Sequence, residues 1–387
     1  MDADEDEESM VEESDFDDRA NLNQGIYSKY KFEATAGKRL PIQVHRKEIL
    51  DTISESPVVV IEGPTGCGKT TQVPQYIMED AFAKKKYFNI VVTQPRRLAA
   101  VSVAKRVAQE REWVLGDVVG FQIGRKKEVT EDTRITFCTT GVLLEKLVKS
   151  QSLSEYTHII LDEVHERDID MDFLLIVIRK IFFRARNPVK IIMMSATIKS
   201  EKFADYFTIN ERVPIINLTQ TSQYKREAQE SEEGSSSRSA TRNSVLVFLP
   251  GINEINQLHK ELDKLTDQEG DFRCEVIPLH SSLTHEEQHR VFKHFTTARK
   301  VILSTNIAES SITVPDVKFV VDFCLTKNLR VDTTTNFSSL QMEWASLDNC
   351  IQRSGRAGRV MDGRVYRLVT KQFYRPMLQF QDVKNYQ

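Results

Sequence analysis

Between residues 57 and 218, short apolar and β-branched runs alternate with stretches whose apolar positions recur three and four apart. The runs lie at 57–62, 88–94, 134–139, 158–162, 189–194 and 213–218. Several of them, such as IVVTQ, HIILD and KIIMMS, are apolar at nearly every position rather than at alternate ones. A strand covered on both faces demands that pattern, and the crossover helices of a parallel sheet cover both faces. Strand runs separated by helical periods therefore predict an α/β fold with a parallel sheet. A second series follows at 244–249, 274–279, 301–305, 317–322 and 364–368, again with helical patterns between the runs. Residues 219–243, between the two series, hold almost no apolar side chain, as a linker or surface loop does. The expectation is two α/β lobes, 36–218 and 244–370, joined by a polar linker at 219–243 and followed by a tail at 371–387. Ahead of the first strand, the apolar positions from 40 to 53 suit an amphipathic helix, most clearly from Ile49 to Ile53.

Charge changes this picture at the N-terminus. Residues 1–18 hold eleven carboxylates and no Lys or Arg, so a net charge of -3 on the whole chain becomes +8 on residues 19–387. Residues 1–35 accordingly read as an acidic disordered tail. The body reads as mildly basic, which suits a polyanionic partner, although a solvated surface with a solubility tail would carry the same charges. No window approaches the roughly 18–20 apolar residues of a membrane span. The acidic start lacks the basic-then-apolar order of a secretory signal. A cytosolic or nuclear protein with no membrane contact is expected. The five cysteines, Cys67, Cys138, Cys274, Cys324 and Cys350, contain no C-x-x-C pair. Buried reduced thiols are expected rather than a zinc site or a disulfide framework.

Candidate chemistry begins at Gly63-Pro64-Thr65-Gly66-Cys67-Gly68-Lys69-Thr70, which satisfies G-x-x-x-x-G-K-[ST] between a predicted strand and a helical pattern. Glycines let backbone N–H groups turn inward around phosphate oxygens, and the helix N-terminus adds partial positive charge. Gly63, Thr65, Gly66, Gly68, Lys69, Thr70 and Thr71 are the expected nucleotide contacts. Lys69 would meet the β- and γ-phosphates and Thr70 would hold Mg²⁺. Asp162-Glu163-Val164-His165 ends the strand HIILD, and in a doubly wound sheet a strand's C-terminal end lies beside the phosphate loop. Asp162 and Glu163 are expected around Mg²⁺, with Glu163 also the general base for the attacking water. His165 has no second His at helical spacing, so coupling is a better role for it than metal ligation. Ser195 and Thr197, at the end of KIIMMSAT, are expected to report the carboxylates' state across the lobe. In Gln352-Arg353-Ser354-Gly355-Arg356-Ala357-Gly358-Arg359, Arg356 and Arg359 are three apart and expected on one helical face. Their guanidinium forks suit arginine fingers on a γ-phosphate held by the other lobe, with Gln352 orienting the water. A basic surface helix would be the plainer reading of those residues alone.

Together GPTGCGKT, TQPRR (93–97), TTG (139–141), DEVH, SAT, LVFLPG (246–251), STNIAESSIT (304–313) and QRSGRAGR resemble the ordered motif set of the DEAH-box helicases. The resemblance covers about residues 40–370, with Val164 where the family name has Ala. It implies two RecA-like P-loop NTPase lobes with mostly parallel sheets, and an RNA-stimulated NTPase that translocates on or remodels RNA. It also implies ATP, or any NTP, with Mg²⁺ as cofactor, and single-stranded or structured RNA as partner. The residues that match the family's RNA contacts are Arg96, Arg97, Thr139 and Gly141 in lobe one, and Ser281, Ser304, Thr305 and Asn306 in lobe two. Arg106 and Phe319 look like the family's pair that stacks on the base. Residues 325–346 look like its strand-separating β-hairpin.

Within the family, SVLVFLPGINEI and QMEWASLDNCIQRSGRAGRVMDGRVYRLV are most similar to the Tudor-domain-containing germline helicases of the Spindle-E type. That implies Piwi-interacting RNA silencing with germ-granule proteins, in the cytoplasm and its perinuclear granules, with the nucleus left open. Two departures stand beside the resemblance. The strand and helix that open the family's second lobe have only the polar segment 219–243 in their place. The family's winged-helix, ratchet and OB-like domains find no counterpart in the 28 residues after Arg359, and neither does a Tudor domain. The reading is therefore a truncated helicase. The alternative is a catalytically weak form that binds nucleotide, RNA or partners. A signalling GTPase would share the phosphate loop but not DEVH, SAT and QRSGRAGR.

Overall fold

A computed structural model of the chain describes residues 25–33, 40–64, 66–184, 189–196, 200–208, 212–218, 226–229, 243–268, 273–293, 295, 298–310, 314, 316–332, 334–335, 337–357, 362–370 and 373–374. The chain divides into two compact units, Met1–Thr221 and Ser222–Gln387.

Unit 1 is built on eight strands: β1 (Val58–Glu62), β2 (Ile90–Gln94), β3 (Val119–Ile123), β4 (Lys126–Glu128), β5 (Ile135–Thr139), β6 (His158–Leu161), β7 (Lys190–Ser195) and β8 (Ile215–Asn217). Their order across the sheet is β4-β3-β5-β2-β6-β7-β1-β8, and only the β3–β4 pair is antiparallel. The helices are α1 (Arg46–Glu55), α2 (Lys69–Ala83), α3 (Arg97–Arg111), α4 (Thr140–Ser150), α5 (Ile169–Arg184) and α6 (Ser200–Phe207). Strand β1 shows why its run is apolar throughout. Val59 and Ile61 join one core with Ile49, Ile53, Val73, Ile77 and Ala104 of α1 to α3. Val58 and Val60 join another, on the opposite face, with Leu143, Leu147, Leu174, Ile178 and Phe203 of α4 to α6. Side chains alternate across a strand, so a sheet with helices on both faces needs both sets to be apolar.

The sequence patterns miss β3 and β4; β4 is the edge strand, and β3 lies between it and β5. Lys126–Glu128 is exposed throughout, and an edge strand pairs through its main chain without an apolar code. Gly120 is required there: a Cβ at that position would stand 2.2 Å from the Glu128 carbonyl oxygen. The acidic tail expected over 1–35 also ends earlier. Gly25–Lys29 forms a 3₁₀ turn. Phe32 is buried with its ring centroid 5.2 Å from Phe82 and 5.3 Å from Trp113. The Tyr27 hydroxyl donates to the Asp132 carbonyl at 2.7 Å, and Arg111 donates to the Glu33 carbonyl at 2.7 Å. Aromatic side chains in an otherwise polar stretch supply that anchor. Residues 1–24 lie outside the described residues.

Unit 2 contains β9 (Arg226–Gln229), β10 (Ser244–Phe248), β11 (Cys274–Leu279), β12 (Arg299–Ser304), β13 (Val317–Asp322), β14 (Leu325–Val331), β15 (Ser338–Trp344) and β16 (Gly363–Arg367). Six of them form a parallel sheet in the order β11-β12-β10-β13-β16-β9. Strands β14 and β15 form a separate antiparallel hairpin, paired from Leu325–Trp344 to Val331–Ser338. Helices α7 (Ile252–Gln268), α8 (His285–His289), α9 (Ile307–Ser310) and α10 (Leu347–Ser354) complete the described elements. Strand β9 falls inside the segment read as a polar linker. It adds to β16 through main-chain pairing at the sheet's edge, so the second sheet does have an edge strand on that side. Of the tail at 371–387, only residues 373–374 are described.

Candidate functional site

The phosphate loop runs from the end of β1 to the start of α2. Gly66 and Gly68 take positive φ values of 86° and 106°, which L side chains adopt only under strain. Gly63 is held for a different reason: a Cβ there would stand 2.8 Å from Leu218 Cβ. The Gly63 N–H donates to the Ser195 carbonyl at 3.1 Å, which ties the start of the loop to the end of β7. Lys69 is buried, and its ammonium donates to the Gly63 carbonyl and to Pro64 O at 3.1 Å. Gly68 opens α2 without a side-chain cap, so first-turn N–H groups face the loop as an anion site requires.

Asp162 follows β6 directly and is fully buried beneath this loop. Its Oδ2 accepts from Thr70 Oγ1 at 2.6 Å and from Gln94 Nε2 at 2.7 Å, and its Oδ1 accepts from the Glu163 N–H at 2.9 Å. Burial, reinforced by the neighbouring Glu163 charge, pushes the Asp162 carboxyl up to about 6. Glu163 sits at φ 54°, and a non-glycine residue held there is costly backbone of the kind found at functional sites. His165 bridges two motifs. Its Nδ1 accepts from the Ala196 N–H at 3.2 Å and its Nε2 stands 3.5 Å from Glu163 Oε2. Acceptance at Nδ1 assigns the ring proton to Nε2, on the Glu163 side. The structure thus brings Gly63, Gly66, Gly68, Lys69, Thr70, Asp162, Glu163, His165 and Ser195 to one place.

A divalent cation fits this donor set. Two adjacent carboxylates, one of them buried with its charge disfavoured, and a threonine hydroxyl at hydrogen-bond distance are hard oxygen donors of the kind Mg²⁺ takes. Gln94 is a member of this cluster that motif reading passed over, because its role depends on a hydrogen bond to a residue 68 positions away.

The other expected residues of unit 1 lie around it. Thr71 donates to the Gly68 carbonyl at 3.4 Å. Arg106, on α3, pairs with Glu110 at 2.7 Å, and Glu110 in turn accepts from Gln72 of α2 at 3.1 Å. Arg96 pairs with Glu166 at 3.6 Å, while Arg97 is exposed. Thr139 occupies the N-cap position of α4 without a side-chain capping bond, and Gly141 leaves room for Asp170, whose Oδ2 would be 2.8 Å from an added Cβ. Thr65 and Thr197 lie outside the described residues.

In unit 2, Ser281 is exposed in the turn after β11. Ser304 ends β12, where its hydroxyl donates to the Thr305 carbonyl at 2.8 Å; Thr305 N–H donates to Leu279 O at 3.2 Å, and Asn306 is exposed. Phe319 is half-buried on β13, with Lys318 Nζ 5.8 Å from its ring. Helix α10 carries Gln352 and ends at Ser354, so Arg356 stands in the turn beyond it. The expected helical face is corrected at Arg356, which the helix does not reach; Gly355, which follows its last residue, is a poor helix former. Gln352 and Arg356 are buried, and Arg359 lies outside the described residues.

Arg353, to which the motif reading gave no role, is 1% exposed and joins four segments. It donates to Glu309 at 2.7 Å, to Asp322 at 2.8 Å and to the Leu325 carbonyl at the hairpin's root at 3.1 Å, and it lies 5.2 Å over the Phe248 ring. Among the described residues, no helix is long and apolar enough to cross a membrane.

Comparison with known proteins agrees with this geometry. Residues 43–205 match the DEAD/DEAH box helicase family, and residues 232–361 match the helicase conserved C-terminal domain. That family takes in both box types, so the match carries the broader class and not the DEAH subtype. The chain is 47% identical over 404 residues to the probable ATP-dependent RNA helicase spindle-E of Aedes aegypti, across 92% of this chain and 29% of that protein. It is 48% identical over 402 residues to the protein of the same name from Anopheles gambiae, across 91% and 27%. For that of Drosophila mojavensis the identity is 43% over 421 residues, across 97% and 29%. The chain thus spans less than a third of the length of these relatives.

Proposed function

Because the chain belongs to the DEAD/DEAH box helicases, with two RecA-like helicase domains, we propose that it is an ATP-dependent RNA helicase whose NTP hydrolysis is raised by RNA. The observation that carries this reading is the cluster of Lys69, Thr70, Asp162, Glu163 and His165 around the phosphate loop. Lys69 leaves the loop carbonyls that now hold it and pairs with the β- and γ-phosphates. First-turn N–H groups of α2 take phosphate oxygens. Thr70 and Asp162 hold Mg²⁺, which neutralises charge on the phosphates when bound. Glu163 accepts a proton from the water that attacks the γ-phosphorus. His165 fixes the Glu163 carboxylate and links it to the chain at Ala196. Gln352, Arg356 and Arg359 are the second unit's contribution, as the motif resemblance implies.

The RNA contacts assigned to Arg96, Arg97, Thr139, Gly141, Ser281, Ser304, Thr305 and Asn306 are suited to backbone phosphate, since hydroxyls, amides and guanidinium groups position a strand without reading its bases. Stacking of a base by Arg106 and Phe319 would leave its edges unread, so GTP, CTP and UTP should serve as ATP does. A place in germline Piwi-interacting RNA silencing, with germ-granule partners in the cytoplasm, is the finest form of the reading. The likeness to helicases named spindle-E supports it.

The test is hydrolysis of each of the four nucleotides by the purified chain, beside Lys69→Ala. Comparable turnover of all four, lost with Lys69→Ala, is expected. Nucleotide binding with no turnover of any would make this chain a binding form instead.

A further inference from the structure

The five cysteines are dispersed in sequence, but the fold brings two of them to one buried point of unit 2, beside a carboxylate. Asp322 ends β13, Cys324 stands at the corner into β14, and Cys350 is in α10. A carboxylate oxygen of Asp322 and the two Sγ atoms all lie within 4.8 Å of one another. None of the three residues is more than 1% exposed. The corner is held from both sides, since the Ala345 N–H donates to the Cys324 carbonyl at 2.8 Å and the Cys324 N–H donates to Asp322 Oδ1, also at 2.8 Å.

Asp322 supplies a second observation. Its Oδ1 is taken by Arg353 and by the Cys324 N–H, whereas Oδ2 is buried with no hydrogen-bond partner. A buried carboxylate oxygen without a donor is costly, and such an exception needs a reason. A cation at that oxygen would supply one. Two thiolates and the carboxylate carry three negative charges; a divalent ion offsets two of them, and the Arg353 guanidinium, which Asp322 shares with Glu309, faces the third.

We propose that Asp322, Cys324 and Cys350 form a binding site for one thiophilic divalent cation of the Zn²⁺ class. Thiolate donors select zinc over Mg²⁺ or Ca²⁺, and zinc accepts a mixed S₂O set. Binding replaces two S–H bonds by two metal–sulfur bonds and releases two protons to solvent, with no change of oxidation state. Metal–sulfur distances of about 2.3 Å are reached by small side-chain shifts from the present spacing. One tetrahedral position is left for water or a main-chain oxygen. The bound ion pins the root of the hairpin to the helix that carries Gln352 and Arg353. The 25 residues between Cys324 and Cys350, most of them in the hairpin, hide the pattern from any reading of local spacing.

The full chain, purified reduced and stripped with a chelator, is titrated with Co²⁺ and then Zn²⁺. One Co²⁺ per chain is expected, with thiolate-to-cobalt absorption in the near-ultraviolet and displacement by Zn²⁺. Two protons are released per Zn²⁺. Cys324→Ala and Cys350→Ala each weaken binding by about 100-fold or more, while Cys274→Ala binds as the wild type does. Circular dichroism and thermal melting show that each variant is folded, and Asp322 is left alone because it holds Arg353. Absence of stoichiometric binding by the wild type overturns the proposal, and so does undiminished binding by folded Cys350→Ala. A Cys324–Cys350 disulfide whose reduction yields no metal uptake overturns it as well.

Discussion

Asp162 shows how one side chain can be poised for a ligand at the expense of the ligand-free fold. Its carboxyl titrates near 6, above the ordinary 3.8, because burial and Glu163 disfavour the charge. A raised carboxyl contributes most to stability at low pH, and that contribution is lost as pH rises through about 6. Asp162→Asn, which carries no charge to bury, should therefore stabilise the nucleotide-free chain at pH 7–8 by on the order of 1–2 kcal/mol. The gain should fade below pH 6, and urea unfolding at several pH values measures it. The same titration acts on catalysis. Protonated Asp162 is a poor cation ligand, so the Mg²⁺ concentration for half-maximal turnover should climb as pH falls through 6. His165 gives a separate prediction. Its ring stands between Glu163 and the Ala196 N–H. His165→Ala should lower turnover by roughly 10²-fold through misplacement of Glu163, with ATP affinity little changed. An equal loss in binding would show that His165 holds the loop rather than the base.

At the scale of elements, the fold was most legible where strands are buried on both faces. The runs that became β1, β2, β6 and β7 are apolar throughout because two helical layers cover them. Strands β4 and β9 escaped because edge pairing is carried by main-chain groups and leaves little trace in side chains; β3, which lies between β4 and β5, escaped because Gly120 and Gln122 interrupt its short apolar run. The anchor at residues 25–33 escaped because a few aromatic residues outweigh a polar background. The site divides the same way. GPTGCGKT and DEVH are contiguous, and each ends a strand, so their chemistry could be read directly. Gln94 and Arg353 could not be assigned, since their partners lie 68, 44 and 31 residues away. Arg353 carries the element-scale prediction. Its removal leaves Glu309 and Asp322 buried without their cation. Arg353→Gln should destabilise unit 2 by about 3–5 kcal/mol. Thermal unfolding should show it as a lowered transition for that unit, with the phosphate-loop unit still binding nucleotide.

For the whole molecule, the separation of charge is the feature with the longest reach. Eleven carboxylates precede residue 19, and a +8 body follows. An acidic segment on the same chain competes with RNA phosphates for basic surface at high effective concentration. Deletion of residues 1–18 should tighten RNA binding at low salt, and the difference should shrink as salt screens it. An unchanged affinity at low salt would mean that the tail does not meet the RNA-binding surface. The two units make different contributions to the same proposal. The first holds the nucleotide machinery in full view, and the second holds the motif that ends in Arg356 and Arg359. Only turnover asks whether both act on one nucleotide. The decisive measurement is the ATP hydrolysis rate of the purified chain with and without single-stranded RNA, beside Glu163→Gln. Hydrolysis that RNA raises and Glu163→Gln abolishes, with ATP still bound, is the expected result. ATP bound but not hydrolysed by the wild type, or hydrolysis indifferent to RNA or to Glu163→Gln, would contradict the assignment of an RNA-driven motor.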